Sequence, residues 1–215
     1  MIFQLTDYEE LRNRDKQRNE ERELEIARNI AGKLVARGYD LKTNPDAYKA
    51  IFQWVAQYRM GHYDEGPMPG KGLIICGNPG TGKTVAAKCI SYWCQIDMYT
   101  IKTLDEAWGN DPEECKRYYS RAFDRESPVI IDDLGDEPRT KHYGNAPCVD
   151  FLLPKLYESW TETGKPVVIT TNLKMSESQG KNDSIFDVYG ERIFSRFSEM
   201  FNVVKMVGAD RRRPQ

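Results

Sequence analysis

The stretch GNPGTGKT at residues 77–84 has the residue types and spacing of a phosphate grip. Gly77, Gly80 and Gly82 let the backbone curl until its N–H groups point inward at phosphate oxygens. Lys83 carries a point charge to the β- and γ-phosphates, and the Thr84 hydroxyl is a ligand for Mg²⁺. Asn78, Pro79 and Thr81 fill the positions between, so the whole of 77–84 is expected to bind nucleotide. Every fixed position of GxxxxGK(S/T) is present. The apolar run GLIIC precedes it and a helix follows, whose N-terminus adds positive dipole. Such a loop needs a second acidic group for the metal. VIIDD at 129–133 supplies one at the end of an apolar run. Asp132 is expected to hold the Mg²⁺ shell through water, and Asp133 to orient the attacking water. Glu137 is a rival for that second role, and a capping or loop carboxylate is the plainer reading of Asp133. Asp is one methylene shorter than Glu, which predicts loose water placement and modest turnover.

These residues need a scaffold, and the pattern predicts an α/β one. GLIIC, DMYTIKT, PVIIDD, PVVITTN and FNVVKMV read as strands. Between them, LDEAWGNDPEECKRYYSRAF reads as helix with a break at Gly109–Asn110. CVDFLLPKLYESWTET is helical despite Pro154, and SIFDVYGERIFSRFSEM is helical as well. Strands alternating with helices imply a parallel sheet covered on both faces. Upstream, residues 7–37 read as one charged helix, with an apolar stripe of Leu24, Ala27, Ile30, Ala31 and Leu34 and a stop at Gly38. It is either a solvated helix held by ion pairs or an arm that packs on a partner. A second helix starts at Asn44-Pro45, with Tyr48, Ile51, Phe52, Val55 and Tyr58 on its apolar face. The Gly- and Pro-rich loop MGHYDEGPMPGKG sets a boundary near residue 65. Residues 1–65 are thus expected to form a helical region, partner-binding in the second reading of the arm, and 66–215 the nucleotide-binding domain.

Composition narrows the classes. The formal net charge of −2 excludes a global basic signature, so any contact with nucleic acid is local. No apolar run approaches a membrane span and no signal-peptide pattern opens the chain, which predicts a cytoplasmic protein away from membranes. The five cysteines form no CxxC pair, so reduced thiols are expected and a zinc site is not.

Beyond the loop, the motifs resemble AAA+ ATPases. Asn172, at the tip of VVITTN, resembles the sensor-1 polar residue that reaches the γ-phosphate and the attacking water. GERIFSRF at 190–197 resembles the arginine-finger box, in which an arginine projects into the neighbouring subunit's site. The resemblance implies Arg196 as the finger and Arg192, one helical turn away, as a supporting interface contact. Ordinary surface ion pairs are the bland alternative for both. The narrower resemblance is to the DnaC/IstB family, carried by GLIICGNPGTGKTVAAKCI, PVIIDDLGDE, VVITTNL, GERIFSRF and VVKMVGADRR over residues 44–213. It implies a P-loop AAA+ core without the helical lid, Mg²⁺–ATP as cofactor, and ATP hydrolysis. It also implies a homo-oligomeric ring or open spiral acting on single-stranded DNA and a replicative helicase. The tail resembles a G-x-S-x-R ending with Asp210 where Ser is usual, which makes Arg212 a candidate second arginine on the γ-phosphate. No cysteine cluster like the zinc module of some loaders is present, so the arm would bind the partner.

Three alternatives stay open. An IstB-like transposition ATPase would act with a transposase on duplex DNA. A small phosphate-loop kinase would need a substrate lid and no arginine from a neighbour. An adaptor would bind ATP and barely hydrolyse it. For single strands, Lys116, Arg117, Tyr118, Tyr119 and Arg121 interleave charge with aromatics. Arg139, Lys141, His142 and Tyr143 do the same, and Arg211, Arg212 and Arg213 follow the last strand. Each patch is also consistent with a solvated face.

Overall fold

The computed structural model describes residues 41–59, 70–124, 128–137, 147–177 and 180–210, with scattered positions between 18 and 32. Side chains at 118 and 120–124 are outside that description, as are the apolar stripe of the N-terminal arm, Gly38 and the boundary loop. The chain divides into two compact units, Met1–Tyr63 and Asp64–Gln215.

In the first unit, the described positions from 18 to 32 are helical and exposed. A 3₁₀ turn, Leu41–Thr43, leads into α1 (Pro45–Arg59). Pro45 opens this helix, where its missing N–H costs nothing, and Tyr48 N–H bonds the Asn44 carbonyl at 3.0 Å. Tyr48, Ile51, Phe52 and Val55 are buried as their spacing predicts. Trp54 is buried too, and Tyr58 stacks on it at 5.7 Å between ring centres.

The second unit is built on β1 (Gly72–Gly77), β2 (Asp97–Thr100), β3 (Val129–Leu134), β4 (Val167–Thr171) and β5 (Phe201–Met206). All four pairings are parallel, in the order β2-β3-β4-β1-β5. The crossovers are α2 (Lys83–Cys94), the pair α3 (Ile101–Asn110) and α4 (Pro112–Asp124), α5 (Cys148–Thr163), and the pair α6 (Ile185–Tyr189) and α7 (Glu191–Met200). β1 thus lies between β4 and β5, although nearly a hundred residues separate β1 from β4 in sequence. The apolar runs of β1, β3 and β4 are buried because helices cover both faces. Ile74, Ile131, Ile169, Leu152, Trp160 and Phe197 form the centre of the core. Trp160 uses its one polar atom, donating from Nε1 to the Gly70 carbonyl at 3.0 Å.

The elements differ from the expectation in three places. DMYTIKT is half strand and half helix. Thr100 caps α3 by accepting the Thr103 N–H at 3.1 Å, and that local bond ends β2. The expected helix break falls at Asp111, one residue past Asn110, where Pro112 begins α4. The last helix is two pieces, parted at Gly190, which has φ +84°. Cys76, Cys115 and Cys148 are thiols in the interior. Burial, reinforced by the charge of Asp105, pushes the Cys148 thiol up to about 12. It is therefore protonated and unreactive at neutral pH. Among the described residues, no helix is long and apolar enough to cross a membrane.

The tightest approach in the sheet is at Gly72, where a Cβ would overlap the Val167 backbone carbonyl. Gly72→Ala must push β1 away from backbone that cannot yield. A loss of about 3 kcal/mol in denaturant unfolding is expected, the upper end for overpacking. Wild-type stability in that variant would remove the constraint.

Candidate active site

The carboxyl ends of β1, β3 and β4 converge, the position where open parallel sheets bind ligands. β1 delivers the loop 77–84. Gly80 and Gly82 have φ of +77° and +99°, conformations that side chains with a Cβ resist. Gly82 also caps α2, whose first residues are Lys83 and Thr84. The loop is braced from within. Thr81 is buried, and its Oγ1 donates to the Asn78 carbonyl at 2.8 Å. Asn78 and Pro79 are exposed at the rim.

Lys83 is only 5% exposed. Its ammonium donates to the Gly77 carbonyl at 2.8 Å, the Asn78 carbonyl at 2.9 Å and Asn172 Oδ1 at 2.8 Å. A buried ammonium requires acceptors, and these three supply them. The loop lysine and the Asn at the tip of β4 are therefore one assembly. That brings together two residues 89 positions apart that the sequence assigned to the same phosphate.

The acidic strand is braced by β4. Asp132 is buried, and Thr170 Oγ1 donates to its Oδ1 at 2.5 Å. The same hydroxyl oxygen accepts the Asp133 N–H at 2.9 Å. The β3–β4 register shifts between Ile131 and Leu134, and Asp133 sits in the left-handed region at φ +59°. Such a bulge interrupts the simple alternation of the strand and re-aims the side chains around it. Asp tolerates the left-handed conformation better than most residues, at a cost of about 1 kcal/mol or more. Next to it, Thr171 Oγ1 donates to the Leu134 carbonyl at 2.6 Å and accepts the Leu173 N–H at 3.0 Å. Two threonines thus tie the acidic strand to the strand bearing Asn172. Neither was singled out in the sequence; the signal was TT directly before that Asn.

Glu137 has a different setting from that of a free base. It is buried, with Oε1 accepting the Tyr189 hydroxyl at 2.6 Å and Oε2 accepting the Gly135 N–H at 2.9 Å. Both of its oxygens have protein donors, whereas Asp133 is half-buried at the strand end.

The donor set fits a magnesium nucleotide. The Thr84 hydroxyl and the Asp132 carboxylate are hard oxygen ligands, and the Thr170 hydrogen bond holds that carboxylate in one orientation.

The arginines lie on α7. Arg192 is exposed in its first turn. Arg196 is half-buried, its guanidinium 4.6 Å from the centre of the Tyr157 ring on α5. The Tyr157 hydroxyl donates to Glu199 at 2.9 Å, and that bond raises the phenol's pKa. Arg212 lies outside the described residues, but Asp210 does not. A Cβ on Gly80 would overlap the Asp210 carboxylate, so the segment after β5 lies directly on the phosphate loop.

The basic and aromatic patches fare differently. Tyr119 is buried with its hydroxyl donating to the Leu104 carbonyl at 3.0 Å, so it is core and not a stacking platform. Lys116 pairs with Glu113 at 2.6 Å. The side chains of Tyr118 and Arg121, the patch at 139–143, and Arg211 and Arg213 lie outside the described residues.

The model of the ATPase family associated with various cellular activities (AAA) matches residues 73–186. A katanin p60 ATPase-containing protein of Xenopus tropicalis is 33% identical over 88 residues, 36% of this chain and 16% of that protein. The chain spans about a fifth or less of the length of the curated relatives it matches. Among solved structures, DnaI superposes with a TM-score of 0.60 at 17% identity, covering 80% of this chain and 89% of that one. AMPPCP-bound DnaA from Aquifex aeolicus superposes at 0.54 with 13% identity, covering 77% and 47%. At these identities, the likeness is one of fold.

Two outcomes follow from the bracing. Thr170→Val keeps the shape of the side chain and strands the Asp133 N–H. It should cost about 1–3 kcal/mol of stability and weaken Mg²⁺-dependent nucleotide binding, read by titrating a fluorescent ATP with and without the metal. Asp210→Asn removes a negative charge lying on the phosphate loop. It should tighten ATP binding about two- to fivefold, the scale of one partly solvated charge contact, in the same titration.

Proposed function

The chain belongs to the AAA family of ATPases, and we propose that it is an ATP-hydrolysing switch resembling DnaC-type helicase loaders. In this reading, the loop 77–84 binds ATP, with Thr84 and Asp132 holding Mg²⁺. The metal draws charge from the β- and γ-phosphates. Asp133 orients a water on the γ-phosphate, and Lys83 and Asn172 take up the charge that builds there. Arg196 comes from the next subunit, with Arg192 supporting the contact, and Arg212 serves as a second arginine on the γ-phosphate. Catalysis is mainly positioning and charge. The short Asp133 side chain suits slow turnover raised by a partner.

The observation that carries the reading is the bond from Lys83 Nζ to Asn172 Oδ1. It joins the phosphate-binding lysine to the residue that resembles sensor 1, and a plain phosphate loop needs no such partner. The finger role for Arg196 rests on the GERIFSRF motif; its guanidinium sits 4.6 Å from the centre of the Tyr157 ring on α5. In the assembly we propose, bound ATP closes a ring or open spiral on single-stranded DNA and a replicative helicase, and hydrolysis releases it. The arm within 1–65 binds the protein partner. The likeness in fold to DnaI and DnaA supports this partner class; the core motifs are shared with IstB-like ATPases, and a transposase is the alternative partner.

A mixing experiment tests the shared site. Lys83→Ala and Arg196→Ala chains are each expected to be nearly inactive, since a finger contributes about 10³-fold or more. Mixed in equal amounts, they should recover roughly a quarter of wild-type hydrolysis, because random assembly of a cyclic oligomer makes one interface in four complete. No recovery would sink the shared site. Recovery with Arg192→Ala in place of Arg196→Ala, while Arg196→Ala alone stays active, would exchange their roles.

A further inference from the structure

We propose that Glu137 and Tyr189 are positioning residues that link the water-orienting turn of one protomer to the arginine helix it offers its neighbour; this rests on the shared site proposed above. Asp133 begins a tight turn closed by the Asp136 N–H on its own carbonyl at 3.0 Å. Gly135, at φ +104°, lets the backbone fold there, and its N–H is taken by Glu137 Oε2 at 2.9 Å. The other oxygen of that buried carboxylate accepts the Tyr189 hydroxyl at 2.6 Å, across 52 residues of sequence. Tyr189 is the last residue of α6. Gly190 follows, and α7 starts at Glu191, with Arg192 and Arg196 on it.

That bond is a side-chain tie between the Asp133 turn and the joint of α6 and α7. Gly190 closes α6 through its N–H on the Phe186 carbonyl at 2.9 Å, and its own carbonyl accepts the Phe194 N–H at 3.1 Å. A Cβ on Gly190 would meet nothing within 4 Å, and across the joint Phe186 packs edge-on against Phe194 at 5.7 Å between ring centres. The phenol held by Glu137, three residues before the first arginine, ties this joint to the Asp133 turn. A buried carboxylate satisfied by one donor from each segment responds to a change in either one. A shift of the Asp133 turn moves Glu137, and Tyr189 follows it. The arginines are then offered to the neighbour in one orientation as long as Glu137 holds Tyr189. Geometry matters at this scale, since a misplacement of about 1 Å at a reacting group costs on the order of 10²-fold in rate.

The test separates donor from acceptor. The donor chain carries Lys83→Ala, which silences its own site and leaves its arginines. The acceptor chain carries Arg192→Ala and Arg196→Ala. Adding Tyr189→Phe to the donor deletes one hydroxyl; hydrolysis by the mixture is expected to fall about tenfold or more. Melting temperature and oligomer size should match those of the unmodified donor. Tyr189→Phe placed in the acceptor should cost clearly less than in the donor, since its own arginines are already gone and Glu137 still holds the Gly135 N–H. Glu137→Gln in the donor should give a similar loss, and the double variant no further loss, as for two residues that act as one unit. If the mixture is equally active with Tyr189→Phe in the donor, or loses as much with it in the acceptor, the link is wrong while the shared site stands. If the reference mixture without Tyr189→Phe is silent, the shared site fails and the link falls with it.

Discussion

The ammonium of Lys83 sets the terms for the rest of the domain. A charge with so little exposure to water must be surrounded by acceptors, and two of its three come from the loop that it is meant to serve. The third, Asn172, comes from β4. That bond requires β4 to lie beside β1, which the β2-β3-β4-β1-β5 order satisfies. It requires the two strands to end at the same level, which their in-register pairing from Leu73–Val168 to Cys76–Thr171 satisfies. With the level of β4 set, Thr170 and Thr171 reach across to β3 and settle where Asp132 and Asp133 stand. The loop is thus formed before phosphate arrives, and binding replaces protein acceptors with phosphate oxygens without first ordering a chain.

Much of this was legible in the sequence, because the signals were local. A glycine spacing specifies a loop that only glycine can trace. Apolar runs of five or six residues ending in polar ones specify buried parallel strands. The same runs place Asp132, Asp133 and Asn172 at strand ends, where ligands bind. The five strands and the helices between them follow from that pattern.

What could not be read depended on contacts across the chain or on competition between close alternatives. Thr100 can extend β2 or cap α3, and a hydroxyl-to-backbone bond decided it. Tyr119 sits among charges, yet helical phase turns it inward to Leu104. Glu137 looks like a catalytic carboxylate until its two hydrogen-bond donors are seen, one of them 52 residues away. Asp210 is just a departure from a motif until Gly80 is found beneath it. None of these has a periodic signature, so each needed coordinates.

The position of β1 has a consequence for synthesis. Its two neighbours are made of residues 167–171 and 201–206, so the strand that carries the phosphate loop is among the first of its domain to be translated and the last to be paired. On a ribosome, β1 waits with both edges open while about ninety further residues emerge. It gains its second neighbour only with β5. A chain that stops short of β5 therefore leaves the strand that carries the phosphate loop with one edge unpaired, an edge open to pairing with other chains.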